Sequence, residues 1–256
     1  MKPLRFPFLP LILVVATGAV RAGGDDQEAI TRLVAKLKSG DGKAAAALVR
    51  HGAAAVPGLI ETLKSDNANV QAAAANALGL IGPAAKDAVP ALVAALRATD
   101  MPVASNASLA LGKIGAPAVP ALIAAAKSKE ENICGHALGA LKNIGPAARP
   151  AVPVLIDVLK TRKDLPDLVR YLAIETLGGI GPPARDAVPV LLEIFGEKMT
   201  VTNPVHIYVA AALGRIGPEA RAAVPALTEA SRAKESDAGP LRHHATEALE
   251  RIKGRK

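Results

Sequence analysis

The chemistry most readily carried by this chain would come from its five histidines, His51, His136, His206, His243 and His244, and its one cysteine, Cys134. Imidazole and thiolate serve as metal ligands and nucleophiles only where several such groups converge. His243 and His244 are adjacent, so on a helix they point about 100° apart and cannot chelate one ion together. His136 and His206 occupy different positions of the repeat set out below, and the spacing supports solvated or capping histidines. Cys134 shares a column with Gln71, Ala104, Arg170, His206 and Arg242. That column reads as polar and half exposed, with Arg170 in the next unit near enough to favour a thiolate. Cys134 and His136 are two residues apart and face different ways, so they form no nucleophile–base pair. The thiol therefore reads as a small side chain at a helix edge, with a reactive thiol as the alternative. A single cysteine allows no internal disulfide.

Charge is better organised than metal or nucleophile chemistry. Glu61, Ala94, Ala124, Asp157, Glu193 and Glu229 recur at one position, and Lys64, Arg97, Lys127, Lys160, Gly196 and Arg232 recur three residues later. In a stacked array such columns become ladders with one rung per unit, roughly 8–10 Å apart. The acidic ladder runs unbroken through Asp157, Glu193 and Glu229 and would make a striped binding groove. The alternative is pairing of each acid with the cation three residues on, which also suits the helix C-terminus. A third row, Lys86, Arg149, Arg185 and Arg221, falls in turns and would meet an anionic partner along one edge or simply be solvated. Tyr171, Tyr208 and Phe195 lie in neighbouring units, and an interface hot spot would sit there. Phe195 serves equally as core.

These positions depend on a repeat that runs through most of the chain. Val-Pro steps stand at Pro57, Pro90, Pro120, Pro153, Pro189 and Pro225, separated by 33, 30, 33, 36 and 36 residues. Each is preceded by a turn glycine: Gly52, Gly82, Gly115, Gly145, Gly181 and Gly217. Before each glycine runs a helix with a recurrent leucine, Leu48, Leu78, Leu111, Leu141, Leu177, Leu213 and, in a last half-unit, Leu249. Val70, Val103, Ile133, Val169, Val205 and Leu241 stand eight positions earlier, or in Leu241's case eight before Leu249, with alanines such as Ala74, Ala77, Ala107, Ala110, Ala137 and Ala140 between. That spacing makes one apolar stripe on an α-helix, and alanine in it lets neighbouring helices approach closely. The glycine is expected to cap the helix in a left-handed conformation. The proline suits the first position of a second helix, whose apolar column is Leu59, Leu92, Leu122, Leu155, Leu191 and Leu227. A two-helix unit cannot bury its stripe alone, so the units must stack.

The stretch from Val70 through Ala77-Leu78-Gly79-Leu80-Ile81-Gly82, and Leu168-Val169-Arg170 through Thr176-Leu177-Gly178-Gly179-Ile180-Gly181, resembles the HEAT family, most closely its short phycobilisome-lyase HEAT-like variety. The resemblance covers Gly40 to Lys253. It implies an all-α fold, a right-handed α-α superhelix of about six to seven antiparallel helix pairs, with members that mostly bind proteins on the second-helix face. Two catalytic branches resemble the repeat as well. Deoxyhypusine hydroxylases hold iron through paired His-Glu steps, but here the histidines are followed by Gly52, Ala137, Ile207, His244 and Ala245. Bilin lyases act on cytosolic antenna proteins, and the N-terminus of this chain points elsewhere.

That N-terminus carries Lys2 and Arg5, an apolar run from Phe6 to Val15, and small residues at Val20-Arg21-Ala22, the pattern of an export signal. Cleavage after Ala22 is expected, with Ala19 as the alternative. The apolar stretch ends near Val20, short of the roughly 20 residues that span a bilayer core. No transmembrane segment is expected after signal removal. The remaining residues 23–256 then form one solenoid, with a capping helix at about 26–38, repeats at about 40–253 and a basic tail at 251–256. The net charge is +8, but with the signal and the tail set aside the body is close to neutral, which argues against a nucleic-acid partner. Aromatics are only 2% of the chain, too few for a sugar-binding platform. The expectation is a periplasmic or envelope protein, monomeric, without cofactor or metal, holding a protein or peptide. An enzyme or cofactor-handling protein of the lyase or hydroxylase kind is the second reading, and a structural envelope component recruited through its basic tail the third.

Overall fold

The recurrent leucines define an interior. Leu48, Leu78, Leu111, Leu141, Leu177 and Leu213 of the first helices are fully buried, as are Leu59, Leu92, Leu122, Leu155, Leu191 and Leu227 of the second. All of them belong to one continuous apolar core that runs the length of the chain. The computed structural model describes residues 24–161, 166–197, 204–233 and 239–254. The export signal and the last two tail residues, Arg255 and Lys256, lie outside the described residues.

The chain folds as an all-α solenoid. Helix α1 (Gly24–Lys38) begins it, followed by six helix pairs. The pairs are α2 (Gly42–Arg50) with α3 (Val56–Thr62), α4 (Ala68–Ile81) with α5 (Val89–Ala95), and α6 (Met101–Ile114) with α7 (Val119–Ala126). Then come α8 (Glu131–Ile144) with α9 (Val152–Thr161), α10 (Asp167–Ile180) with α11 (Val188–Phe195), and α12 (Val205–Ile216) with α13 (Val224–Ser231). Helix α14 (Gly239–Ile252) closes the array. Where the first helices start, Asp41, Asn67 and Asp100 accept hydrogen bonds from backbone N–H groups that would otherwise be unpaired.

Each second helix begins at the valine, one residue before the proline expected to open it. The turn glycines have positive φ, as expected, but at Gly82, Gly115, Gly145, Gly181 and Gly217 not the left-handed helical conformation. Gly82 has φ 69° and ψ −139°, and Gly115 φ 81° and ψ −141°, a region essentially reserved for glycine. The chain enters a short 3-10 helix directly after the glycine, as at Gly82–Ala88. Between Met101–Ile114 and Ala116–Ala126 the direction changes by 117°. Residues Ala68–Ala95 would be long and apolar enough to cross a membrane as one helix, but Gly82 breaks the run, and 44% of that window is buried in the solenoid.

The first helices of neighbouring units stack tightly on one another, whereas the second helices touch each other little. Each second helix instead packs against the first helix of the following unit: α5 on α6, α7 on α8, α13 on α14. Close stacking rests on glycines facing the next first helix. A Cβ on Gly79 would stand 2.8 Å from the Ala110 Cα, and one on Gly178 3.0 Å from the Ala212 Cα. Hydroxyls fasten the same layer: Ser108 donates to the His136 carbonyl at 2.8 Å and Thr176 to the Leu138 carbonyl at 3.0 Å.

Candidate functional site

Asp157, Glu193 and Glu229 are each the sixth residue of their helices, α9, α11 and α13. All three are exposed, on the side of the second helix turned away from its buried leucine. Among the described residues none of the three carboxylates forms an ion pair. The pairing expected of the column occurs at its first rung alone, where Lys64 donates to Glu61 at 2.7 Å. That hydrogen bond and the Lys64 charge hold the Glu61 carboxyl below its usual range. The three later acids therefore present free negative charge along consecutive units.

Arg149, Arg185 and Arg221 lie on the 3-10 turns and are exposed, as is Lys86. Arg185 stands 3.8 Å from the Asp186 carboxylate. They form an edge separate from the acidic row.

Tyr171 and Tyr208 do come together. Their rings stack with centroids 4.9 Å apart and planes at 17°. The pair joins α10 to α12 within the layer of first helices and is half-buried against the core. Burial foremost, and then the Asp167 charge, push the Tyr171 hydroxyl upward. The tyrosines thus belong to a different layer from the acids. Phe195 meets His206 edge-on instead, with ring centroids 5.6 Å apart.

In the column containing Cys134, Gln71, Arg170 and Arg242 are half-exposed as expected, but Ala104, Cys134 and His206 are buried. Cys134 is fully buried and His206 is 4% exposed. These side chains reach back to the C-terminal end of the preceding second helix, whose last carbonyls lack partners within the helix. Cys134 Sγ donates to the Ala126 carbonyl at 3.2 Å, and His206 Nε2 meets the Glu197 carbonyl at 3.0 Å. Arg242 Nη1 donates to the Ala233 carbonyl at 2.9 Å. Arg170 pairs with the Glu197 carboxylate at 2.6 Å, which engages its charge away from any thiolate role. Among the described residues no three His, Cys, Asp or Glu side chains stand where they could share a metal ion.

Two grooves open between second helices, neither of them predicted from the residue columns. One, of about 420 Å³, lies between α3 and α5, over Ile60, Leu63 and Ala91, and is rimmed by Lys64 and Arg97. The other, of about 520 Å³, lies between α11 and α13, over Leu192, Phe195 and Leu241, and is rimmed by Glu197 and Glu229. Neither tyrosine lines it.

Stacked helix pairs with exposed charge rows and inter-helix grooves define an α-solenoid. The sequence matches the description HEAT repeats over residues 30–101, 56–142, 89–165 and 152–250, and the chain belongs to the HEAT-repeat family. No curated protein matches it in sequence. A crystal structure of an engineered protein is similar over 78% of this chain and 96% of its own, at 25% identity and TM-score 0.50. The archaeal HEAT-like repeats protein from Thermococcus onnurineus NA1 is similar over 88% of this chain and 97% of its own, at 16% identity and TM-score 0.52, a likeness of fold.

Proposed function

We propose that this chain is an exported, non-enzymatic interaction scaffold that holds a protein or peptide along its second-helix face. The observation that carries the reading is the row Asp157, Glu193 and Glu229: exposed, at one register, and without ion pairs among the described residues. A solvated surface built only for stability would be expected to pair these acids, as Glu61 is paired. HEAT-repeat membership supports a protein-binding role, since a solenoid offers a long surface rather than one enclosed site. The N-terminal pattern around Lys2, Arg5 and Ala22 supports export to the periplasm or envelope, and the near-neutral body supports a partner other than nucleic acid. The likeness of the repeat to the phycobilisome-lyase variety belongs to this reading as a relationship of repeat type, without its chemistry.

Crosslinking in the native envelope with an amine-reactive reagent, followed by mass spectrometry, tests the proposal. Partner crosslinks are expected at Lys127 and Lys160 of the second-helix face, beside the acidic row, rather than at Lys113 and Lys142 of the first helices. Crosslinks confined to the first-helix layer, or a purified protein carrying stoichiometric iron or tetrapyrrole, would overturn it. An N-terminus that still begins at Met1 would refute export with cleavage.

A further inference from the structure

The two grooves share one construction and differ in sign. Each lies between consecutive second helices and is closed by the start of a following first helix, through Gln71 and Val103 in one and His206 and Leu241 in the other. Each has an apolar floor. Among the described residues, those lining the α3–α5 groove include two cations and no acid, and those lining the α11–α13 groove include two acids and no cation. The acidic groove is also bordered by a buried polar group. His206 is 4% exposed, and its Nδ1 has no hydrogen-bond partner among the described residues. Because a carbonyl only accepts, the contact of Nε2 with the Glu197 carbonyl places the ring proton on Nε2. Nδ1 is then a buried acceptor without a donor, an arrangement costly to leave unmade.

Resting on the scaffold reading above, we propose that the α11–α13 groove receives an extended peptide segment carrying an apolar side chain flanked by Lys or Arg. The apolar side chain fills the space over Leu192, Phe195 and Leu241. Its neighbouring cation meets Glu229, the rim acid that has no ion pair among the described residues, since Glu197 is already engaged by Arg170. The groove between α3 and α5, rimmed by Lys64 and Arg97, rejects the same segment by like charge. The scaffold therefore has a polarity, with its basic-apolar ligand confined to the C-terminal end.

The test uses the full mature chain and three fluorescein-labelled twelve-residue peptides in a Gly-Ser background. Their cores are Lys-Leu-Arg, Lys-Gly-Arg and Glu-Leu-Asp, and binding is read by fluorescence anisotropy. The Lys-Leu-Arg probe is expected to bind and to weaken about tenfold or more in Glu229→Lys. Glu61→Lys, at the far end, should leave its affinity within about twofold. The Lys-Gly-Arg probe should bind at least tenfold more weakly, since the apolar anchor is gone. Matching thermal melts of Glu229→Lys and the unaltered chain would show that the exposed substitution leaves the fold intact. Should Glu229→Lys bind the Lys-Leu-Arg probe as well as the unaltered chain does, or should all three probes bind alike or not at all, the groove assignment is wrong. A partner crosslinked on the second-helix face in that case would leave the scaffold reading standing and sink the groove alone.

Discussion

Gly214 of α12 faces Ala248 of α14 so closely that a Cβ on the glycine would stand 2.8 Å from the Ala248 Cα. No side chain fits between those two backbones without moving one of them. Gly214→Ala is expected to destabilise the solenoid by about 1–3 kcal/mol, the usual cost of overpacking. Gly135, inside α8, is the control, because its added Cβ would meet nothing nearer than Leu172 Cδ1 at 3.8 Å. There an alanine should stabilise by about 0.5–1 kcal/mol through helix propensity. Urea unfolding of the two variants should therefore shift the midpoint in opposite directions.

The Tyr171–Tyr208 stack couples α10 to α12. A double-mutant cycle with Tyr171→Ala and Tyr208→Ala should give a coupling energy of about 0.5–1.5 kcal/mol beyond the loss of buried area. In Tyr208→Phe, Tyr171 is the remaining tyrosine, and its alkaline absorbance titration should have a midpoint above the ordinary tyrosine value of about 10. Additive single-mutant effects would show that the rings merely lie side by side.

Cys134 is buried with its thiol bonded to the Ala126 carbonyl. The native protein should not react with a thiol reagent such as DTNB on the scale of minutes, and should release one equivalent once urea unfolds it. Fast labelling of the native state would restore the exposed, activated thiol that the column's polar residues first suggested.

His136 supplies a pH dependence. Burial lowers its pKa from the ordinary histidine value, which is about 6.5 in an unfolded chain. Below that value the unfolded chain binds the proton more readily than the folded one, so stability rises with pH across the window. The contribution is complete above the unfolded value and is lost as pH falls through the folded one. Thermal melts at pH 7.5 and pH 5.0 should show a drop on acidification that is smaller in His136→Gln than in the unaltered chain.

The solenoid was legible because its cause is local. Leu78, Leu111, Leu141, Leu177 and Leu213 recur on a helical stripe, and a stripe of that width needs a neighbour on either side. The helix that begins at Pro57 or Pro90 was legible to within one residue for the same reason. The acidic row could be read as exposed, since it lies half a helix turn from Leu155, Leu191 and Leu227. What could not be read is whatever depends on a neighbour's backbone. Cys134 and His206 sit where a wheel diagram shows a polar edge, and they are buried because the last carbonyls of α7 and the end of α11 lie across from them. The use of Gly79, Gly178 and Gly214 appears only when the next helix is in place. The grooves had no signal of their own. They arise from the loose spacing of second helices, set by first helices that stack on glycine and alanine.

The packing of each second helix on the first helix of the following unit has a consequence for how the molecule can be divided. The sequence repeats from one first helix to the next, but the physical hairpin is shifted by one element, from α13 to α14 or from α5 to α6. Helix α14 is thus half of the final hairpin rather than a lid placed over a finished structure. A shortened protein ending after Ser231 would keep every complete sequence repeat and still expose the face that α13 turns toward α14, along with Leu241's side of the acidic groove. Shortened forms that remain folded should end after a first helix, where the chain closes on its own wall.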